Sequence, residues 1–130
     1  MDHTRQIIKT DAAPAPIGPY NQAVAINGLL FISGQIALDP KDGSLYQGDI
    51  ATETEKVMEN LKGILHAAGS DFDNVVKSSI FLMDMGQFAA VNEVYGRYFD
   101  AETAPARETV QVSGLPKGVQ VEISMIAALK

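Results

Sequence analysis

Val57-Met58-Glu59-Asn60-Leu61-Lys62-Gly63-Ile64-Leu65-His66-Ala67-Ala68, closed by Gly69 and followed by Val75-Val76-Lys77-Ser78-Ser79-Ile80-Phe81-Leu82-Met83, is where the chain changes period. Val57, Leu61, Ile64, Leu65 and Ala68 fall at i, i+4, i+7, i+8 and i+11, which lines one face of a helix. Thr52, with Glu55 three residues on, reads as a capping box for that helix. Gly69 reads as its stop, because glycine enters the left-handed region without a Cβ penalty. Residues 75–83 then lose the helical spacing and predict a strand.

Outward from this unit the pattern repeats. Asp84 and Gln87 predict the cap of a second helix, with Met83 stapled onto Phe88 and an apolar stripe of Phe88, Val91, Tyr95 and Tyr98. Gly96 lies inside that helix at a cost of ~1 kcal/mol against Ala, which predicts close packing there. Upstream, residues 5–9 predict a short strand, and Pro14, Pro16 and Pro19 make 11–20 an ordered loop. Residues 23–26 and 29–33 are apolar runs around Asn27-Gly28, a hairpin signal because both turn positions must accept positive φ. Asp39-Pro40-Lys41-Asp42-Gly43 predicts a turn and lacks calcium-loop spacing.

Downstream, Arg107, Thr109, Gln111 and Ser113 alternate with Val110 and Val112, and Val121, Ile123 and Met125 alternate with Gln120, Glu122 and Ser124. The short link Gly114-Leu115-Pro116-Lys117-Gly118 predicts that 107–113 and 119–129 are antiparallel neighbours. With Ser113 opposite Gly118, Thr109 would oppose Glu122 and Arg107 would lie one diagonal away, at roughly 7–8 Å. The order strand-strand-strand, helix, strand, helix, strand-strand predicts an α+β domain: a mixed sheet with two helices on one face. Residues 79–83 and 123–129 carry apolar groups of both parities. The second face is therefore expected to be covered by another subunit.

The 130 residues predict one domain, 1–130. With 46% hydrophobic and 20% charged residues, the chain is not a disordered, collagen-like or coiled-coil sequence. The absence of Cys excludes disulfides and a thiol nucleophile. Ten Lys and Arg against sixteen Asp and Glu give a net charge of −6, which opposes nucleic-acid binding. No run approaches the roughly 20 apolar residues of a membrane span. The opening Met-Asp-His-Thr-Arg-Gln lacks a signal peptide's apolar core, so the expected location is cytoplasmic.

Gly-x-Gly-x-x-Gly, phosphate-loop and Gly-x-Ser-x-Gly motifs are absent, and His3 and His66 stand far apart with no metal constellation around them. His66, near a helix end, suits the dipole as a surface cation. Arg107 offers a fork that fits a carboxylate, on a substrate or on Glu108 or Glu122 as a structural ion pair. Glu122 fits either a solvated strand face or a reacting carboxylate. Tyr20 fits packing or a pocket wall, and Asn92 interrupts the second helix's stripe. Ser33-Gly34-Gln35 ends a strand where glycine admits a ligand close to the backbone. Spacing alone thus gives an oligomeric α+β domain suited to a small carboxylate, and names no reaction.

Four segments carry a resemblance: residues 13–20 (Ala-Pro-Ala-Pro-Ile-Gly-Pro-Tyr), 31–36 (Phe-Ile-Ser-Gly-Gln-Ile), 88–95 (Phe-Ala-Ala-Val-Asn-Glu-Val-Tyr), and Pro105-Ala106-Arg107 through Leu115-Pro116 to Val121-Glu122-Ile123. With them the chain resembles the RidA/YjgF family of reactive intermediate imine deaminases over essentially its whole length. The resemblance implies a chorismate-mutase-like fold and a homotrimer with active sites between subunits. It implies hydrolysis of 2-iminobutanoate and 2-iminopropanoate, released by pyridoxal-phosphate dehydratases, to 2-oxo acids and ammonia. No cofactor or metal is implied. Arg107 would bind the substrate carboxylate and Glu122 would position or activate water; Tyr20, Ser33, Gly34, Asn92 and Thr109 would line the pocket. The chain departs from the family at Glu108, where a small residue is usual, at Thr109, where many members have Cys, and at Ser124, where many have an acid. The alternatives are a non-enzymatic module binding small carboxylates, a ribonuclease or translation inhibitor, and a holdase chaperone.

Overall fold

Asp49, not Thr52, opens the first helix in the computed structural model, which describes residues 4–130. His3 lies outside the described residues. Asp49 has extended backbone, and its carboxylate accepts the Thr52 N–H at 2.9 Å. This satisfies one of the N–H groups that a helix start leaves unpaired. The helix, α1 (Ile50–Ala67), therefore starts a few residues before the expected capping box, and Thr52 lies inside its first turn. Gly69 follows at φ +77°, as expected of a stop. Val57, Leu61, Ile64 and Leu65 are fully buried.

The strands are β1 (Gln6–Ile8), β2 (Ala23–Ile26), β3 (Leu29–Gln35), β4 (Val75–Leu82), β5 (Ala106–Gln111) and β6 (Val121–Ala128), with α2 (Phe88–Gly96) between β4 and β5. Asn27 and Gly28, at φ 51° and 79°, turn β2 into β3 as predicted. A short 3-10 turn, whose Gly86 N–H is accepted by Asp84, precedes α2. Tyr98 falls beyond α2, where its ring packs 5.1 Å from that of Phe72. Gly96 is the last residue of α2, and a Cβ there would meet nothing within 4 Å, so close packing does not explain it.

The sheet is mixed and six-stranded, in the order β1-β2-β3-β6-β4-β5. This corrects the expected hairpin of 107–113 with 119–129. β4 lies between the two strands, parallel to β5 and antiparallel to β6. Crossing back over α2 makes β5 parallel to β4. The link 112–120 is long enough to pass the width of one intervening strand, about 10 Å between the strands it joins. Thr109 therefore shares a row with Ile80 and Ile123, and Glu122 shares one with Phe81 and Val110.

Both helices cover one face, as expected. The rows Ile32–Met125–Ser78–Arg107 and Gln35–Ile123–Ile80–Thr109 turn toward α1 and α2. Tyr95 of α2 packs there, and its hydroxyl donates to Ser78 Oγ at 2.9 Å. The opposite face carries the row Ile7–Val24–Phe31–Ile126–Lys77–Ala106 across all six strands. No element among the described residues covers it fully: Phe31 and Val110 remain 41% exposed and Ile7 39%.

Candidate active site

Glu122, the second residue of β6, reaches across an irregularity in the next strand. The β3–β6 ladder is regular from Leu29 to Ile32 and then shifts, so that Gln35 faces Ile123 and Ser33-Gly34 form the break. Gly34 is needed at that break: a Cβ there would stand 2.8 Å from Glu122 Cδ. The carboxylate forms no hydrogen bond or ion pair with any described residue. It is half-buried, and burial pushes its carboxyl above the ordinary carboxylate range.

A cavity of about 350 Å³ adjoins this carboxylate and is lined by Tyr20, Ser33, Gly34 and Glu122 together with an apolar wall that includes Ile17, Ile36 and Leu38. Ser33 Oγ donates to Asn21 O at 2.6 Å, which holds the strand end to the loop that carries Tyr20. Buried Gln22 braces that loop, its side-chain amide donating to Ala13 O at 3.2 Å and Pro14 O at 2.9 Å. The apolar wall and Gln22 were not among the expected site residues. The three prolines of 11–20 were the available signal, since they rigidify the segment that forms the wall.

Arg107 stands in a second cluster. Its Nη1 donates to Asn92 Oδ1 at 2.7 Å, and its guanidinium lies 5.0 Å from the Tyr95 ring centre and 5.6 Å from that of Phe88. The rings and the amide aim the fork. The structural ion pairs considered for Arg107 do not form. Glu108 instead binds Lys77 Nζ at 2.8 Å and accepts from the Ser79 hydroxyl, on the other face of the sheet. Thr109 lies two residues along β5 from Arg107, and its buried Oγ1 has no hydrogen-bond partner among the described residues.

The chain thus brings Tyr20, Ser33, Gly34 and Glu122 together, and separately Asn92, Arg107 and Thr109. It does not bring Arg107 and Thr109 beside Glu122, as the expected hairpin register required. Arg107 aligns with Met125 through Ser78, three residues from Glu122 on β6, and an odd offset places the two on opposite faces. The chain thus carries two separate clusters of candidate residues on opposite faces of its sheet. A larger groove of about 620 Å³ lies between α1 and the 37–46 loop, but it contains none of these residues. Two of its charged groups are engaged, Lys56 over the Tyr46 ring and Glu59 with the Tyr98 hydroxyl. Among the described residues no group of three His, Asp or Glu could hold a metal ion, and no helix is long and apolar enough to cross a membrane.

Residues 10–129 match the family described as Endoribonuclease L-PSP. A RutC family protein of Synechocystis is 53% identical over 127 residues, 97% of this chain and 98% of that protein. The mouse protein named 2-iminobutanoate/2-iminopropanoate deaminase is 49% identical over 123 residues, 95% of this chain and 90% of that one. The crystal structure of YyfA, a Rid-family protein of Yersinia pestis, superposes with a TM-score of 0.94 at 43% identity, covering 97% of this chain and all of that one.

Proposed function

Because the chain belongs to the RidA/YjgF family, we propose that it is a 2-iminobutanoate/2-iminopropanoate deaminase that works without a cofactor. The observation that carries this reading is Glu122: a half-buried carboxylate with no partner among the described residues, at a cavity beside Tyr20 and Ser33. Such a group is poised to take up a proton.

A 2-iminium acid presents a carboxylate and an electrophilic carbon. The Arg107 fork, held by Asn92 and two rings, binds the carboxylate bidentately. Glu122 takes a proton from water as the water oxygen bonds to the iminium carbon. It returns the proton to the nitrogen of the tetrahedral adduct. The C–N bond then breaks, and the adduct's hydroxyl proton leaves with the ammonia, giving a 2-oxo acid and ammonium. Tyr20, Ser33 and Thr109 supply hydroxyls around the adduct, and Gly34 leaves the room in which Glu122 lies. Positioning and one proton shuttle suffice for a carbon that is already electrophilic.

Since one chain holds the two clusters, the half-sites of this reading, on opposite faces, the reaction needs Arg107 of one copy to meet Glu122 of another. A homotrimer, the assembly that the family resemblance implies, would bring such copies together with the apolar sheet face turned inward. The cytoplasm, where pyridoxal-phosphate dehydratases release such imines, is its place of action. The endoribonuclease description of the family fits this chain less well, because an RNA polyanion would have to approach a net charge of −6.

The test is a coupled assay in which this protein is added to a threonine dehydratase and 2-oxobutanoate release is followed. Faster release is expected. An unchanged rate, with 2-oxo acid binding intact, would replace the enzyme by a carboxylate-binding module.

A further inference from the structure

Glu53 is a carboxylate that the reaction above does not use, and it is 2% exposed. A carboxyl group that deeply buried needs its lone pairs filled by hydrogen bonds. They are filled from one place, the entrance of β6. Oε2 accepts the Gln120 N–H at 2.8 Å and the Val121 N–H at 3.1 Å, and Oε1 accepts Gln120 Nε2 at 2.9 Å. The next residue is Glu122.

Gln120 passes the contact on. Its Nε2 also donates to Gly48 O at 3.2 Å, beside the start of α1, and its Oε1 accepts Gln87 Nε2 at 2.9 Å. Gln87 is the residue before Phe88, the first of α2. Phe88 and Asn92 of this helix both touch Arg107. One line of side chains, Glu53–Gln120–Gln87, therefore runs from α1 to the main chain that carries Glu122, and on to the helix that aims Arg107.

We propose that Glu53, Gln120 and Gln87 form a positioning strut that fixes the two half-sites of one subunit relative to each other. The proposal rests on the roles given above to Glu122 and Arg107. Sites built between copies need this more than sites within one chain do. Each subunit supplies halves to different sites, so an error in the angle between its halves is felt at both. None of the three residues reaches the substrate. Each acts through the main chain or side chain that it holds.

The two ends of the strut separate kinetically. Glu53→Ala frees the β6 entrance and lets Glu122 wander. It should lower kcat about tenfold, the order expected of misplacing a reacting group by part of an ångström, with KM within about twofold. Gln87→Leu leaves every Glu53 bond in place and loosens only the start of α2. It should raise KM about threefold to tenfold with kcat nearly unchanged, because the carboxylate clamp is what it disturbs. Both are measured in the coupled assay, per folded subunit and well below each variant's melting temperature. A merely structural role would lower that temperature and move neither constant.

If Glu53→Ala does not fold, Gln120→Ala carries the test. It cuts the link between the two ends but keeps both main-chain N–H groups on Glu53, so it should reproduce the Gln87→Leu rise in KM. Wild-type constants in folded Gln87→Leu or Gln120→Ala, or wild-type kcat in folded Glu53→Ala, would overturn the strut. Glu122→Gln in the same series keeps the two ideas apart. If it is fully active, the reading of Glu122 fails; if it is inactive while the strut variants behave as wild type, only the strut fails.

Discussion

Gly34 and Glu122 touch so closely that the glycine has no room for a methyl group: an ideal Cβ would stand 2.8 Å from Glu122 Cδ and 2.9 Å from its Oε2. The φ of Gly34 is not in the left-handed region, so the glycine is required by the carboxylate's path and not by its own backbone. Gly34→Ala should therefore leave the fold nearly as stable, since the end of a flexible side chain can swing away. The carboxylate itself would be displaced. Activity should fall at least tenfold with little change in melting temperature, read by the coupled assay and a thermal melt on the same sample. Wild-type turnover would show that Glu122 works from another position.

Arg107→Lys keeps the charge and loses the fork. Losing one hydrogen bond to a charged group costs about 1.5–3 kcal/mol, or roughly 10- to 150-fold in kcat/KM. Arg107→Ala should cost more. Because Arg107 forms no salt bridge with any described residue, neither variant should unfold the protein. Full activity in folded Arg107→Ala would end its role as the carboxylate clamp.

Burial raises the pKa of Glu122 in the folded chain, so between its unfolded and folded values the native state holds the proton and the unfolded state does not. Stability contributed by this residue is thus lost as pH rises through that window. Glu122→Gln should melt above the wild type at pH 7, with the gap closing below about pH 4, under the ordinary carboxylate value. The same variant should lose most of its turnover. An equal melting temperature at both pH values would mean that the carboxylate is not held against its charge.

The uncovered apolar face predicts self-association. Light scattering on a gel-filtration column should give about three times the 13.9 kDa chain mass. Phe31→Glu should shift it downward, because the charge would have to be buried between copies. A wild-type mass near 13.9 kDa at micromolar concentration would leave the two half-sites apart and remove the proposed reaction with them.

Much of this architecture is legible in the residues. Asn27-Gly28, the Val57-to-Leu65 face and the alternation in 121–125 each fixed an element, because turn chemistry and periodicity are local. Strand order is not local. The alternation in 107–113 shows which residues share a face, but not that β4 would come between β5 and β6. The predicted meeting of Thr109 with Glu122 failed for that reason. Arg107, Glu122, Tyr20 and Ser33 stood out as candidates by residue type and by the family resemblance, and the structure divides them between two clusters. The break at Ser33-Gly34 and the bonds of Glu53 were not foreseen, since the first depends on cross-strand register and the second on a partner 67 residues away.

Among the described residues, β6 alone joins the β1-β2-β3 ladder to the β4-β5 pair, and it follows both of its partners, β3 and β4, in sequence. Without residues 121–128, β3 and β4 have no common strand to pair with, and each would present an open edge. Closure of the sheet therefore depends on this one segment. Amide protons of β6 should be the slowest to exchange with solvent, while those on the outer edges of β1 and β5 exchange first.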